Sequence, residues 1–170
     1  MRVYLPSTLP RLRGIIAAGE VGPAPLTACA VTPALREWYV EGDLEELEYA
    51  ALTAAAAASL RLLAEDTAAP CRRVVLAADV PEAAVAPGTA DPEAADRAAV
   101  LVTAAVPVAR LAAVHVDDPA ATATVDEAVR ALPAADHADA DAEFLLDEAG
   151  SHELQWYASS EIFELVGLAQ

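Results

Sequence analysis

The sequence predicts an α/β fold, a single domain spanning 1–170 with a mixed, largely parallel sheet and helices packed on it. Short apolar runs of strand length, from "RVYL" near the start to "HELQW" near the end, alternate with longer segments of helical periodicity. Strands that alternate with helices are expected to join through right-handed crossovers, and such crossovers make parallel neighbours. The chain has 170 residues, 56% of them hydrophobic, which is enough to build a core without disulfide or metal staples.

"RVYL" is the first strand. Ser7 or Thr8 then caps a helix with Pro10 in its first turn, and Leu9, Leu12 and Ile16 mark its apolar face before "GEVGP" ends it. Leu26 to Val31 is a second strand, and Thr32-Pro33 opens the helix "ALREWYVE". Asp43 and Glu46 form a capping box at the head of a long helix that runs to about Asp66. Leu44, Leu47, Ala51, Ala55, Ala58 and Leu62 lie on one stripe of it, so this helix is expected to lie on a sheet. "RRVVLAADV" is a third strand, and the acidic, proline-punctuated stretch 81–97 is expected to be a mobile surface loop. "AVLVTAAV" and "LAAVHV" are further strands separated by Pro107, and Asp118-Pro119 caps a helix to about Leu132. A second acidic loop, about 133–142, leads to the short apolar segment "EFLLDEA". In "HELQW", His152, Leu154 and Trp156 share one face of an extended chain, so Trp156 is expected to face the core of a half-buried strand.

Composition excludes several classes of function. Twenty-seven acidic residues against ten basic ones leave a net charge of −17, which repels nucleic acid and anionic membrane surfaces. Every basic residue is arginine, so the chain has no lysine for a Schiff base, a pyridoxal phosphate anchor or a P-loop. No G-x-G motif and no G-x-S-x-G elbow occurs, which removes the dinucleotide and serine-hydrolase signatures. Cys29 and Cys71 are placed at opposite ends of strands and are expected to stay reduced, which suits the cytoplasm. No signal-peptide pattern opens the chain, and the apolar run Ala98 to Ala109 is too short to span a bilayer.

The positive candidates are few. His115, Asp117 and Asp118 in "VHVDD" stand at the carboxyl end of a strand and the start of a helix, where two carboxylates and an imidazole could hold a divalent ion or carry acid–base chemistry. The plainer reading makes Asp118 a helix cap and His115 a strand side chain. Asp139, Asp141 and Glu143 begin like a calcium loop, but Phe144 stands where that loop needs glycine and Gly150 where it needs glutamate. Arg36, Arg72 and Arg73 could hold an anion or pair with surface carboxylates. "HELQW" lacks the second histidine of a zinc-protease helix, because Trp156 stands in its place.

Taken together, "MRVYLP", "AVTPALREWY", "DLEELEYAAL", "RRVVLAADV", "VHVDD" and "HELQWY" resemble a family of uncharacterised actinobacterial proteins, a domain of unknown function. The resemblance covers most of the chain except the two acidic loops. It implies a cytoplasmic actinobacterial protein, in keeping with the alanine and arginine bias, and brings no activity with it. The expected function is a non-catalytic α/β domain that binds a protein partner or a small ligand, with no cofactor. The alternative is a metal-assisted hydrolase built on His115, Asp117 and Asp118.

Overall fold

The computed structural model describes residues 1–39, 42–88 and 97–167. Its strands are β1 (Arg2–Ser7), β2 (Glu20–Val21), β3 (Leu26–Ala30), β4 (Val74–Asp79), β5 (Val85–Pro87), β6 (Ala99–Val102), β7 (Val106–Pro107), β8 (Leu111–Asp117) and β9 (Leu154–Ala158). The helices are α1 (Leu9–Ala18), α2 (Pro33–Trp38), α3 (Leu44–Glu65), α4 (Thr122–Ala135), α5 (Ala140–Gly150) and α6 (Ile162–Leu165).

Seven strands form one sheet in the order β5-β6-β3-β1-β4-β8-β9, and β2 pairs with β7 in a second, two-stranded sheet. Every neighbouring pair is antiparallel. The expected largely parallel sheet is therefore wrong, and the topology gives the reason. β3 and β4 both run opposite to β1, so they point the same way, and α2 and α3 carry the chain from one to the other. The helical crossover exists, but β1 lies between the two strands that it joins. Between β1 and β3, the chain leaves α1 through β2 and the segment 22–25, which brings it back to the end of the sheet where β1 stopped.

Alternation along the strands gives each face its own core. On one face Val3, Leu5, Val74, Leu76, Val114 and Val116 pack with Leu12 of α1 and Ile162 of α6. On the other, Tyr4, Val75, Ala77 and Ala113 pack beneath Leu35 of α2 and Leu47, Ala51 and Ala55 of α3. A third cluster joins Leu60 and Leu63 of α3 to Val125 and Leu132 of α4 and Ala149 of α5. Along β8, Ala77 pairs with Ala113 but Ala78 pairs with Leu111, and this bulge lets Leu111 and Val114 reach the same core despite their odd spacing.

α3 begins with the expected capping box: the Asp43 carboxylate accepts from the Glu46 N–H at 2.9 Å, and Glu46 accepts from the Asp43 N–H at 3.1 Å. Its alanines let the helix approach the sheet closely, and Ser59 ties it down. The Ser59 hydroxyl donates to the Ser7 carbonyl at 2.7 Å and accepts from the Val74 N–H at 3.1 Å. Among the described residues α3 is the one helix long and apolar enough to cross a membrane, and in this fold its apolar side covers the sheet.

Two segments expected as loops hold regular structure. In 81–97, Val85–Pro87 adds an edge strand to β6, while residues 89–96 lie outside the described residues. In 133–142, α4 runs on through Pro133 to Ala135, and Asp139 caps α5 by accepting from the Ala142 N–H at 2.9 Å. "EFLLDEA" is helical, inside α5. Neither cysteine forms a disulfide.

Candidate functional site

"VHVDD" ends β8 as expected, but its residues have separate duties. Asp117 turns under α3 towards Arg73, the residue just before β4. Arg73 Nη2 donates to Asp117 Oδ1 at 2.7 Å, Nε donates to Oδ2 at 2.9 Å, and the Arg73 backbone N–H donates to Oδ2 at 2.7 Å. Both side chains are buried, with 3% of Arg73 and none of Asp117 exposed. The same Nη2 also donates to the His152 carbonyl at 2.8 Å, and Arg72 caps the Asp117 carbonyl with bonds of 2.8 and 2.6 Å from Nε and Nη2. Arg72 and Arg73 thus spend their donors on the chain itself. A planar guanidinium with several fixed donors suits this bidentate, buried pairing.

Asp118 begins the 3-10 turn Pro119–Ala121: its Oδ1 accepts from the Ala120 N–H at 2.8 Å. Its other oxygen accepts from Gln155 Nε2 at 2.5 Å, and Gln155 in turn accepts from the Tyr157 hydroxyl at 2.9 Å. His115 lies half-buried on the α3 side of the sheet, opposite Val75 in β4 and Trp156 in β9. Burial holds its imidazole below the ordinary value, and the Arg2 charge adds to the effect. His115, Asp117 and Asp118 are neighbours in sequence, yet the carboxylate of Asp117 points to Arg73 and that of Asp118 to Gln155. Among the described residues, no group of three or more His, Cys, Asp or Glu side chains is placed to hold a metal ion.

The other sequence candidates sit on the surface. Arg36 is exposed on α2, and His152 is exposed ahead of β9. Asp139 is a helix cap, while Asp141 and Glu143 are exposed in the first turn of α5. Trp156 departs most from expectation. It shares a face with Leu154, as alternation requires, but it is 61% exposed, and Leu154 and Tyr157 are the residues of β9 that meet the two cores. β9 is the last strand of the seven-stranded sheet, and Trp156 is not among its residues packed under α3.

Sequence reasoning missed the surface aromatics altogether. Trp38, at the end of α2, is 62% exposed, and the Arg97 guanidinium lies 3.7 Å above its ring. Tyr49 and Phe144 are exposed as well. A signal was present: a helix ending in "REWY" has its aromatics past the last buried position, Leu35. Two clefts also open on the surface. One, of about 580 Å³, lies between α1 and the segment 22–25 and is lined by Ser7, Arg11, Ile15, Glu20 and Pro25. The other, of about 350 Å³, is mainly apolar and borders Met1, Thr32, Val85, Pro87 and Arg97.

The model of one protein family matches residues 1–166. The chain belongs to the DUF6912 family, a family of unknown function. The match takes in every described strand and helix of this DUF6912 chain, from β1 to α6. No curated protein matches it, and no solved structure matches it.

Proposed function

We propose that this protein is a non-catalytic module that binds a protein partner. One observation carries the reading: both tryptophans of the chain, Trp38 and Trp156, are more than three-fifths exposed, at 62% and 61%. A core filled by valine, alanine and leucine has left its largest side chains outside. Tryptophan on a surface is costly in water and is enriched at the centres of protein interfaces. The carboxylates that might have served chemistry support the same reading, since Asp117 is spent on Arg73 and Asp118 on a turn and Gln155.

The net charge of −17 speaks against nucleic acid and anionic lipid as partners. Two thiols outside any disulfide support a cytoplasmic location. The alanine and arginine bias supports an actinobacterial source.

Affinity purification of the tagged protein from its native host tests the reading, with wild type compared to the double variant Trp38→Ser/Trp156→Ser at equal melting temperature. The expected result is a partner at fixed stoichiometry with wild type and its loss with the variant. Equal recovery with both proteins, together with stoichiometric metal that disappears in Asp117→Asn, would overturn it in favour of a metal-assisted hydrolase.

A further inference from the structure

The outer side of β9 has no strand beside it among the described residues. The ladder fixes which of its groups look outward. The Asp117 N–H donates to the Arg73 carbonyl, towards β4, so Val116 and Val114 direct their backbone groups to β9, where they face Gln155 and Tyr157. Leu154, Trp156 and Ala158 therefore turn their backbone N–H and C=O groups away from the sheet. The Ala158 N–H behaves accordingly, donating to the Glu161 carboxylate at 2.8 Å. Leu154 and Trp156 are left with outward donors and acceptors at the centre of an exposed edge.

Natural sheets protect such edges with charge, proline, bulges or short length. The opposite edge strand, β5, follows that pattern, with three residues ending in Pro87. β9 reads "LQWYA", with no charge and no proline, and pairs with β8 in unbroken register. The stretch of chain that carries it has one sign of charge. Residues 131–170 contain nine acidic side chains and no arginine or lysine, and exposed Glu153 and Glu161 stand at the two ends of the strand. A second copy fits poorly here. It would bring together two chains of −17, and pairing about Trp156 would set Leu154 against an Ala158 N–H that Glu161 already holds.

We infer that the outer edge of β9 docks an extended, cationic segment of a partner protein as an eighth strand of the sheet. Outward backbone groups of Leu154 and Trp156 supply the strand pairing, the Trp156 ring covers the neighbouring side chain of the guest, and Glu153 and Glu161 meet its basic residues. This assignment rests on the partner-binding reading and gives it a place and a chemistry.

The test uses the full chain and a capped peptide of alternating arginine and valine, with a glutamate and valine peptide as control. Calorimetry gives affinity, and amide hydrogen exchange locates the site. The expected result is binding of the arginine peptide alone, weakened by salt, with slowed exchange at the Leu154 and Trp156 amides. Trp156→Pro removes one outward donor without breaking the ladder to β8 and should weaken binding at least about tenfold. Trp156→Lys, which keeps the N–H and adds a repelling charge, should weaken it also. Absence of binding, or binding that leaves these amides unprotected and is equal in Trp156→Pro, would overturn the assignment. So would peptide-free dimerisation that protects the same amides, since it would give the edge to a second copy. A native partner retained by Trp156→Pro but lost by Trp38→Ser would overturn the edge while leaving the partner-binding reading intact.

Discussion

Asp117 shows how a polar residue that looks reactive in sequence becomes framework. Its carboxylate accepts three hydrogen bonds from Arg73, and its carbonyl accepts two more from Arg72. Removing one partner of such a pair leaves the other charge buried and uncompensated, so Asp117→Ala should cost about 3–5 kcal/mol in a urea melt. Asp118→Ala removes only a turn cap and an exposed contact, and should cost about 1 kcal/mol. Equal, small effects at both positions would mean that the Arg73 pairing is not structural. Trp156→Ala should shift stability by less than about 1 kcal/mol, because the ring is largely in water. Alternation correctly placed Leu154 and Trp156 on one face, but it cannot tell which strand will be last in a sheet.

Two groups give the fold a pH dependence. Burial and the nearby Glu48 charge push the Tyr4 hydroxyl up to about 12 from its ordinary 10.0. Above pH 10.0 the unfolded chain loses this proton while the folded chain keeps it, so stability should fall across the window from 10.0 to about 12. His115 acts at the other end. Its folded imidazole titrates below the ordinary 6.5, so its contribution is present above that value and is lost as pH falls through the folded value. Chemical denaturation of Tyr4→Phe and His115→Gln should show a flatter alkaline and a flatter acid limb, respectively. Unchanged slopes would count against the burial of both.

At the scale of elements, the parts with strong local signals were legible. The Asp43 and Glu46 box and the Thr32 cap are properties of neighbouring residues, and each is present as read. The stripe of α3 is present only in part: Leu47, Ala51 and Ala55 are buried, but Leu44 is exposed, and Ala56, Ser59, Leu60 and Leu63 complete the buried face. What was not legible depended on remote partners. β5 is three residues long, and it becomes a strand only because β6 lies beside it. Gly88 reports that closeness: a methyl group there would stand 2.6 Å from Ala99 C and Val100 N. Gly88→Ala should therefore push β5 from β6 and cost about 1–3 kcal/mol. Gly14, exposed in α1 with nothing within 4 Å of an added methyl, should behave oppositely, and Gly14→Ala should stabilise by about 0.5–1 kcal/mol. Thermal melts of the two variants that moved in the same direction would contradict this placement of the glycines. Pro133 misled in a similar way, since it stands near the end of α4 and the helix runs past it for two residues.

At the scale of the whole molecule, the alternation of strands and helices predicted an α/β fold but not the direction of its strands. The crossover rule holds for a strand, a helix and the next strand beside it, and here β1 separates the strands that α2 and α3 connect. No local pattern in "LTACAV" or "RRVVLAADV" records that insertion. The Arg73–Asp117 pair was not legible for a related reason: the two residues are far apart in sequence, and the pairing of β4 with β8 alone brings them together. The molecule that results has a core poor in aromatics and a surface that displays them, and we propose that the exposed tryptophans meet a partner. Acrylamide quenching of tryptophan fluorescence in the isolated, folded protein tests this most directly. The expected result is a red-shifted emission whose quenching approaches that of the urea-unfolded chain and falls on adding the arginine and valine peptide. A blue-shifted, poorly quenched emission that reddens only on unfolding would contradict it.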